Sequence, residues 1–514
     1  MTSLPLITLA PFVLLTVAML MVFRPGRRPG RLPILAESGV LTAFGLGLGG
    51  LGQLWFVGPQ VLTFGAVSVV RLDAVSVTMV LLVSFVGWVV VRYARRYLDG
   101  EAREGRFHAL TLATIAVVLG LAQAASLPVL VACFVATGIV LRQMLLFYPE
   151  RAEARRAAAK FIRVWGAGDV ALIAASLLLW QSLGTVNIAA LNAVDSLPVL
   201  AQVAVGLLVL AAALKTAAFP VHGWLTEVME APTPVSALLH AGIINSGGVL
   251  LITLAGLVQN SAGAMAALVI IGGFTALFGA LVMLTQSAVK TALAWSTVAQ
   301  MGFMLLQCGL GLWALALLHI VAHSLYKAHA FLSSGGAVRA VNAIAAPGPV
   351  AVPGLGAVAR SFALALILYA VVAAVFTALI EAKSPQALAL GTMLIFGVSY
   401  LIAQGLADTA PGALTQRTVA ASVATALAYF GFQVVAQTVW GPSLPTVPVA
   451  GPLEWALIVL AVLSFGLVAF AQAMFPLWAH HPATAGLRVH LANGLYLNAL
   501  LDRLTGGFRA SAKS

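Results

Sequence analysis

Charged residues are scarce in this chain of 514 residues: Asp, Glu, Lys and Arg make up 8% of it, and 61% is hydrophobic. A soluble domain carries about 25% charged residues, so the composition excludes an ordinary soluble protein. Long apolar stretches recur along the whole chain, which predicts one integral membrane domain over residues 1–514. The first stretch, near 4–23, has no basic region before it and no small-residue cleavage site. We therefore interpret it as a retained first helix.

Cysteine is nearly absent too. The two cysteines, Cys133 and Cys308, fall inside apolar stretches and form neither a CxxC motif nor a ligand set. Iron–sulfur, zinc and haem sites are therefore unsupported. No glycine-rich phosphate loop follows a strand pattern, which argues against a nucleotide site. The net charge of +12 does not indicate nucleic acid, because the arginines fall in loops, where charge sets membrane topology. We expect no metal, cofactor or nucleic acid on this chain.

The apolar stretches predict an all-α polytopic membrane protein with about 14–15 transmembrane helices. Arginine clusters follow the first, third and fifth stretches, whereas the loops after the second, fourth, sixth and eighth hold almost no Lys or Arg. The positive-inside rule then places the arginine-rich loops in the cytoplasm and the N-terminus outside. The fifteen predicted helices lie near 4–23, 34–57, 74–92, 108–124, 127–147, 160–181, 198–219, 234–258, 264–284, 289–309, 312–338, 360–381, 387–406, 414–438 and 453–477.

The first interrupted helix is predicted in LKTAAFPVHGWLTEVMEAPTPVSALLHAG. Pro220 has no N–H to donate, so the helix that carries Lys215 must kink or stop about one turn later. Pro232 and Pro234 then open the next helix, which carries His240 at about its second turn. A broken helix leaves backbone groups free at membrane depth, where only protein or water can satisfy them.

His319, His323 and Lys327 lie four residues apart within the apolar stretch LWALALLHIVAHSLYKAHAFL, which stacks them along one face of a helix. A cation at membrane depth costs about 2.5–3.5 kcal/mol, so three on one face are expected to serve a purpose, most simply a proton relay. The run Ser333–Gly336 loosens the backbone after them and predicts a second broken helix. Broken helices in both halves predict an inverted-repeat transporter fold with its pathway at mid-membrane.

Lysine usage points the same way. The chain has six lysines against twenty-one arginines, and Lys160, Lys215, Lys290 and Lys327 lie in or at the edge of predicted helices. Lysine can release a proton where arginine holds it, so a place on a proton path is one interpretation. Snorkelling or ion pairing at helix ends is the alternative, above all for Lys160 and Lys290.

Acidic groups are rarer still within the apolar stretches. Asp169 opens a span about nine residues after Lys160. It is either a carboxylate favoured by the helix dipole or the charge partner of a neighbouring lysine. Glu227 and Glu230 lie in the loop before Pro232, on the predicted cytoplasmic side. They are either the point where protons enter or ordinary loop charges.

These motifs resemble the proton-translocating antiporter-like membrane subunits, the family of the distal pump subunit of respiratory complex I and of the Mrp sodium/proton antiporters. The resemblance spans roughly 70–340 and rests on KTAAFPVHGWLTEVMEAPTPVSALLHAG, on KTALAWSTVAQMGFMLLQCGLG and on the HxxxHxxxK stripe. C-terminal helices near 360–477 and a tail from 480 to 514 follow this core. The resemblance implies a central proton axis with His240 as the link to the broken helix; the other implied members are Lys215, His319, His323 and Lys327.

The sequence also departs from this family. In the family, a glutamate pairs with the lysine that matches Lys215, and Val135 stands in the place of that glutamate. Ala288 stands where the family has an acidic residue before a later lysine motif. A further family element with another axis lysine is not recognisable. These departures argue against an ordinary complex I subunit.

The segments LRQMLLFYPERAEARRAAAKFI, HSLYKAHAFLSSG and LRVHLANGLYLNALLDR look like one subgroup, the membrane subunits of DAB inorganic-carbon accumulation complexes. The resemblance implies a non-enzymatic subunit of a bacterial inner membrane that conducts H⁺ or Na⁺. Its implied partner is a large cytoplasmic zinc protein, carbonic-anhydrase-like, that hydrates carbon dioxide to bicarbonate. We expect the tail from about Arg488 to Arg503 to contact that partner. The alternatives are a proton-pumping subunit of a redox enzyme and a cation/proton antiporter subunit.

Overall fold

A computed structural model describes residues 4–336, 354–379, 382–405, 412–474, 478 and 481–504. Within these residues, each of the fifteen predicted stretches coincides with one helix or with a group of short helices. The helices are α1 Leu9–Val22, α2 Leu32–Val57, α3 Ala74–Tyr97, α4 Glu104–Gln123, α5 Leu127–Leu145, α6 Ala152–Leu183, α7 Ile188–Asn192, α8 Val199–Lys215, α9 Gly223–Thr226, α10 Thr233–Ala241, α11 Ser246–Thr253, α12 Ala255–Gln259, α13 Ala262–Met283, α14 Val289–Gly309, α15 Trp313–Ser333, α16 Leu355–Leu379, α17 Pro385–Gly405, α18 Gly412–Trp440, α19 Pro452–Ala473, α20 Ala485–Ala492 and α21 Leu497–Leu504.

Most of these helices are long and apolar enough to cross a membrane. In the described part of the chain, eleven stretches meet that criterion and three shorter apolar helices accompany them. Small residues let the helices approach closely, as is usual where lipid removes the hydrophobic drive between them. A Cβ at Gly272 would lie 2.4 Å from the backbone nitrogen of Leu306, and one at Gly302 would lie 2.3 Å from that of Ala276. Glycine is therefore required where α13 crosses α14.

The three arginine-rich loops meet on one face of the molecule, which we call the basic face. The backbone N–H of Arg28, after α1, donates to Glu104 Oε2, after α3, at 3.1 Å. Arg103 in turn donates to the carbonyl of Phe147, after α5, at 2.7 Å. The loops after odd-numbered helices thus share one side, as the positive-inside rule predicts.

A two-stranded hairpin lies at the opposite face, and the prediction of an all-helical chain did not include it. Its strands are β1 Gln60–Phe64 and β2 Val67–Leu72, joined at Gly65, whose φ is +61°. The backbone N–H of Ala125 donates to the carbonyl of Val69 at 3.2 Å, which ties the hairpin to the α4–α5 loop. The β-branched residues on both sides of Gly65 are the signal that identifies such a turn.

The first predicted interruption is confirmed. Helix α8 ends at Lys215 itself, about one turn earlier than Pro220 predicts, and Ala217 has a φ of +53°. Short helical turns fill the segment up to Pro232, which is the N-cap of α10, and Pro234 occupies the first turn of that helix. His240 is in the last turn of this nine-residue helix, about two turns from its start, as the sequence predicts.

The structure describes the second predicted interruption up to Gly336. Helix α15 runs unbroken from Trp313 to Ser333, and the backbone changes to a 3-10 turn at Ser334–Gly336, as the sequence predicts. The next residues of the chain lie outside the described part. A further break, which the sequence analysis did not predict, lies within the predicted helix 234–258, where a 3-10 turn at Ile243–Asn245 separates α10 from α11. The sequence GIINSGG places three glycines around this break.

Candidate ion-conducting site

Lys215 is the last residue of α8, immediately before the first break, and its side chain is 0% exposed. Its Nζ donates to Asp169 Oδ1 at 2.6 Å. The same nitrogen lies 4.1 Å from the ring centroid of Trp165 and 4.7 Å from that of Phe134, at cation–π distances. A buried ammonium is thus held by one carboxylate and two aromatic faces.

Asp169 takes the charge-partner role in this structure, and its lysine is Lys215 rather than Lys160 on its own helix. Asp169 and Trp165 are four residues apart on α6, which places both on the face that meets α8. The carboxylate that the family resemblance leaves missing at Val135 of α5 is therefore supplied from the next helix.

A second cluster gathers around Lys327, whose side chain is also 0% exposed. Lys327 Nζ donates to the carbonyl of Leu293 on α14 at 2.9 Å. The hydroxyl of Thr297 donates to that same carbonyl at 3.0 Å and lies 3.1 Å from His240 Nδ1. His323 Nε2 lies 3.1 Å from the carbonyl of His240. In the described residues, Lys327 makes no ion pair with a carboxylate.

The break between α10 and α11 lies between the two lysines. A Cβ at Gly247 would lie 2.6 Å from Thr216 Cγ2, so the start of α11 packs against the residue that follows Lys215. On the other side, Asn245 Nδ2 donates to Ser324 Oγ of α15 at 3.0 Å. Sequence reasoning missed Asn245 and Ser324, although polar residues in an apolar stretch are the signal that identifies them.

Buried polar atoms around this break have no hydrogen-bond partner in the described part of the protein: His240 Nε2, Asn245 Oδ1, Ser236 Oγ and Ser246 Oγ. Polar atoms at membrane depth are tolerated where they line a hydrated passage. The side chains at the break are thus suited to hold water between Lys215 and Lys327.

His319 points to another part of the molecule. Its Nδ1 lies 2.8 Å from Gln307 Oε1. His319 and His323 line a cavity of about 650 Å³ between α13–α15 and α17–α19, together with Gln300 and Gln472. The stripe on α15 therefore faces an open cleft at its first two members and the α14 backbone at its third.

Lys160 and Glu227 form a third cluster near the basic-face end of α6. Lys160 Nζ donates to Glu227 Oε1 at 2.7 Å, to Asp502 Oδ1 at 2.8 Å and to the side-chain oxygen of Asn498. The tail helix α21 thus packs against its own chain, a contact that the sequence did not predict.

Lys290 is not brought into these clusters. Lys290 is the second residue of α14, half-buried at the helix end, and no described side chain forms an ion pair with it. Glu230 ends a short 3-10 turn, and its side chain lies outside the described part of the chain.

Comparison with known proteins places these clusters in a family context. A family described as "NADH:quinone oxidoreductase/Mrp antiporter, TM" matches residues 124–345. A second, described as "NADH-Ubiquinone oxidoreductase (complex I), chain 5 N-terminus", matches residues 61–108. The first match contains all three clusters apart from the tail residues.

Curated relatives extend the similarity over most of the chain. The probable inorganic carbon transporter subunit DabB2 of Halothiobacillus neapolitanus is 35% identical over 91% of this chain and 87% of its own length. The probable inorganic carbon transporter subunit DabB of Hydrogenovibrio crunogenus is 44% identical over 52% of this chain and 53% of its own. NADH-quinone oxidoreductase subunit L of Mycobacterium tuberculosis is 33% identical over 60% and 52%.

Solved structures share the fold. A chain of the Mrp complex from Dietzia sp. DQ12-45-1b matches with a TM-score of 0.57 and 23% identity, covering 99% of this chain and 57% of that one. A chain of respiratory complex I from Thermus thermophilus matches with a TM-score of 0.56 and 20% identity, covering 96% and 99%. At these identities the likeness concerns architecture alone.

Proposed function

We propose that this chain, which belongs to the family of antiporter-like membrane subunits that includes DabB and NADH:quinone oxidoreductase subunit L, conducts H⁺ or Na⁺ to drive the uptake of inorganic carbon. The observation that carries the proposal is the ion pair of the fully buried Lys215 with the mostly buried Asp169 at the broken end of α8. A buried ion pair is weak evidence for stability, since similar apolar residues serve that purpose as well. An ion pair that lies beside broken backbone at membrane depth is typical of a transport path, and we assign that role to this pair.

The proposed path runs through groups that can exchange protons or bind water. From the basic face, Lys160 and Glu227 lead to Lys215 on the neighbouring helix. The polar break at Gly242–Asn245 then connects Lys215 to His240 and Lys327. Arginine is missing from these steps, and lysine, histidine and carboxylate are the side chains that can release a proton near neutral pH.

Inorganic carbon is the proposed cargo because the relative similar over most of this chain bears that name. In this proposal the chain has no catalytic site of its own. A large soluble zinc subunit, docked on the basic face, which we place in the cytoplasm of a bacterial inner membrane, hydrates carbon dioxide to bicarbonate. One charge that crosses 100 mV releases about 2.3 kcal/mol. Tenfold accumulation costs about 1.4 kcal/mol, so one ion per turnover is sufficient for modest accumulation.

Growth at ambient carbon dioxide tests this proposal. We expect Lys215→Ala to abolish growth of a host that depends on the complex, when growth is compared at matched protein levels in the membrane, because loss of the ion pair also lowers stability. Lys383→Ala is the matched control, because Lys383 lies in the loop between α16 and α17. If Lys215→Ala supports growth as well as the parent, Lys215 does not lie on the path. Growth restored by elevated carbon dioxide distinguishes a carbon-uptake defect from the loss of a redox pump.

A further inference from the structure

We propose that the C-terminal segment 481–504 is a latch that closes the path at the basic face, with Asn498 and Asp502 as the positioning residues that hold Lys160 and Glu227. The proposal rests on the proposed function, since it assigns these two residues to the mouth of that path. It concerns a part of the chain that lies beyond the family match at 124–345.

Hydrogen bonds tie the segment to Lys160. An ammonium has three hydrogens to donate, and here all three have acceptors. One acceptor is Glu227, and the other two, Asn498 and Asp502, come from α21. Asn498 Nδ2 also donates to Glu227 Oε1 at 2.6 Å, so one amide holds both members of the pair.

The segment covers the Lys160–Glu227 pair. With the segment in place, the side chains of Lys160 and Glu227 are 11% and 23% exposed. Asp502 is itself only 19% exposed, although it lies near the end of the described chain. Moving α21 away leaves Lys160 with one acceptor instead of three and opens the pair to water.

The rest of the protein offers the segment a complementary surface, which we call the seat, formed by Gly223, Gln286 and Trp295. A Cβ at Gly223 would lie 1.8 Å from Asn498 Oδ1, so this position must be glycine for Asn498 to sit there. At Gly494, whose φ is +57°, a Cβ would lie 3.2 Å from the ring of Trp295. Gln286 Nε2 adds a hydrogen bond to the carbonyl of Ala492 at 3.2 Å.

Backbone strain within the segment favours a contact that can open, rather than a permanent part of the core. Leu495 and Tyr496 both have positive φ, at 54° and 57°, which is a strained conformation for side-chain-bearing residues. The strain persists only while the contacts on both sides of it hold the segment in place. Release of the segment relieves it.

The test uses Gly223→Ala, which adds one methyl group where Asn498 sits and changes none of the four groups in the cluster. Gly166→Ala on α6 is the control, because a Cβ there meets nothing within 4 Å. Both are made in a full-length chain that carries Leu497→Cys as reporter, with Cys133 and Cys308 replaced by alanine. We expect a membrane-impermeant maleimide to label the reporter thiol about tenfold faster in Gly223→Ala, a change equal to about 1.4 kcal/mol of lost docking. The control labels at the parent rate.

Ion flux is the second readout. The same full-length proteins, without the reporter, are reconstituted into liposomes, and H⁺ and Na⁺ flux is measured under an imposed potential. We expect faster flux through Gly223→Ala than through the parent, and parent flux through Gly166→Ala. Adding Asn498→Ala to Gly223→Ala makes room for the methyl group and keeps Asp502 on Lys160, so labelling and flux return toward the parent.

Several outcomes overturn the latch. Parent labelling in Gly223→Ala shows that Asn498 does not occupy this seat. Faster labelling with unchanged flux shows that the seat exists but does not control the path. A parent protein that conducts neither ion contradicts the proposed function, and the latch with it, while the labelling result still reports on the seat alone.

Discussion

Lys215 and Lys327 are both fully buried lysines beside broken backbone, yet their surroundings differ. Lys215 is paired with a carboxylate and two aromatic rings. Lys327 donates to the main-chain carbonyl of Leu293 and, in the described part of the chain, has no ion-pair partner. The site of Lys215 compensates the ammonium charge with a carboxylate, whereas the site of Lys327 offers it the dipole of a main-chain carbonyl.

The same difference separates two regions of the molecule. From 152 to 230 the chain brings Lys160, Asp169, Lys215 and Glu227 into ion pairs. From 231 to 474 the sequence contains three acidic residues, and the described one, Glu454, accepts from the backbone N–H of Gly451 at 3.0 Å. A proton that leaves Lys327 therefore strands no carboxylate, whereas one that leaves Lys215 strands Asp169.

Stability gives the largest expected effect of this difference. Lys215→Met leaves the Asp169 carboxylate mostly buried without its partner, which lowers the free energy of unfolding by about 2–3 kcal/mol. Lys327→Met removes a buried cation and leaves no charge behind, so the free energy of unfolding stays level or rises. Chemical unfolding in matched detergent micelles measures both. Equal losses in the two variants would show that the two lysines are compensated alike.

Removing both members of the first pair is the next test. The double variant Lys215→Met/Asp169→Leu buries no charge, so its free energy of unfolding returns to within about 1 kcal/mol of the parent. Ion flux stays absent because the titratable group is gone. A double variant as unstable as Lys215→Met alone would mean that the loss arises from packing and not from charge.

The position of the carboxylate provides a smaller effect. Asp169→Asn keeps the shape of the side chain and removes its charge, so growth at ambient carbon dioxide falls. Adding Val135→Glu restores the carboxylate from α5, next to Phe134, and we expect partial recovery of growth. Val135→Gln in the same background is the control. Equal growth with Glu and Gln at position 135 would show that a carboxylate on α5 does not replace Asp169 on α6.

The smallest effect at neutral pH is expected for His222, in the segment between α8 and α9, because its influence on stability develops only in acid. Burial, with a contribution from the positive charge of Lys160, lowers the pKa of His222 to about 4. The unfolded chain therefore takes up a proton at a higher pH than the folded one, and stability falls as the pH drops from about 6.5 toward 4. His222→Gln should flatten this part of the profile of unfolding temperature against pH. An unchanged profile would assign the acid sensitivity to other groups.

Much of the fold follows from the sequence because hydropathy and proline act locally. Apolar length marks the helices, arginine marks the loops of the basic face, and Pro232 and Pro234 mark the start of α10. The backbone change at Ser334–Gly336 was predicted from its serines and glycines. The break at Ile243–Asn245 was missed, although three glycines near 242–248 lie inside the predicted helix 234–258.

Partners of the site residues follow from packing, which one sequence does not reveal. Asp169 and Lys215 are 46 residues apart along the chain, and they meet only because α6 and α8 lie side by side. Asp502 meets Lys160 because α21 packs against the basic-face end of α6. The residue types identified the candidates, and helix packing selected the pairs.

Ion flux through Lys215→Met is the decisive measurement, because we propose that ions pass the broken end of α8. Purified full-length protein is reconstituted into liposomes, and H⁺ and Na⁺ uptake is followed under an imposed potential, beside Lys383→Met as the loop-lysine control. We expect Lys215→Met to conduct neither ion and Lys383→Met to conduct at the parent rate. Parent flux through Lys215→Met, in protein shown to be folded, would contradict this proposal.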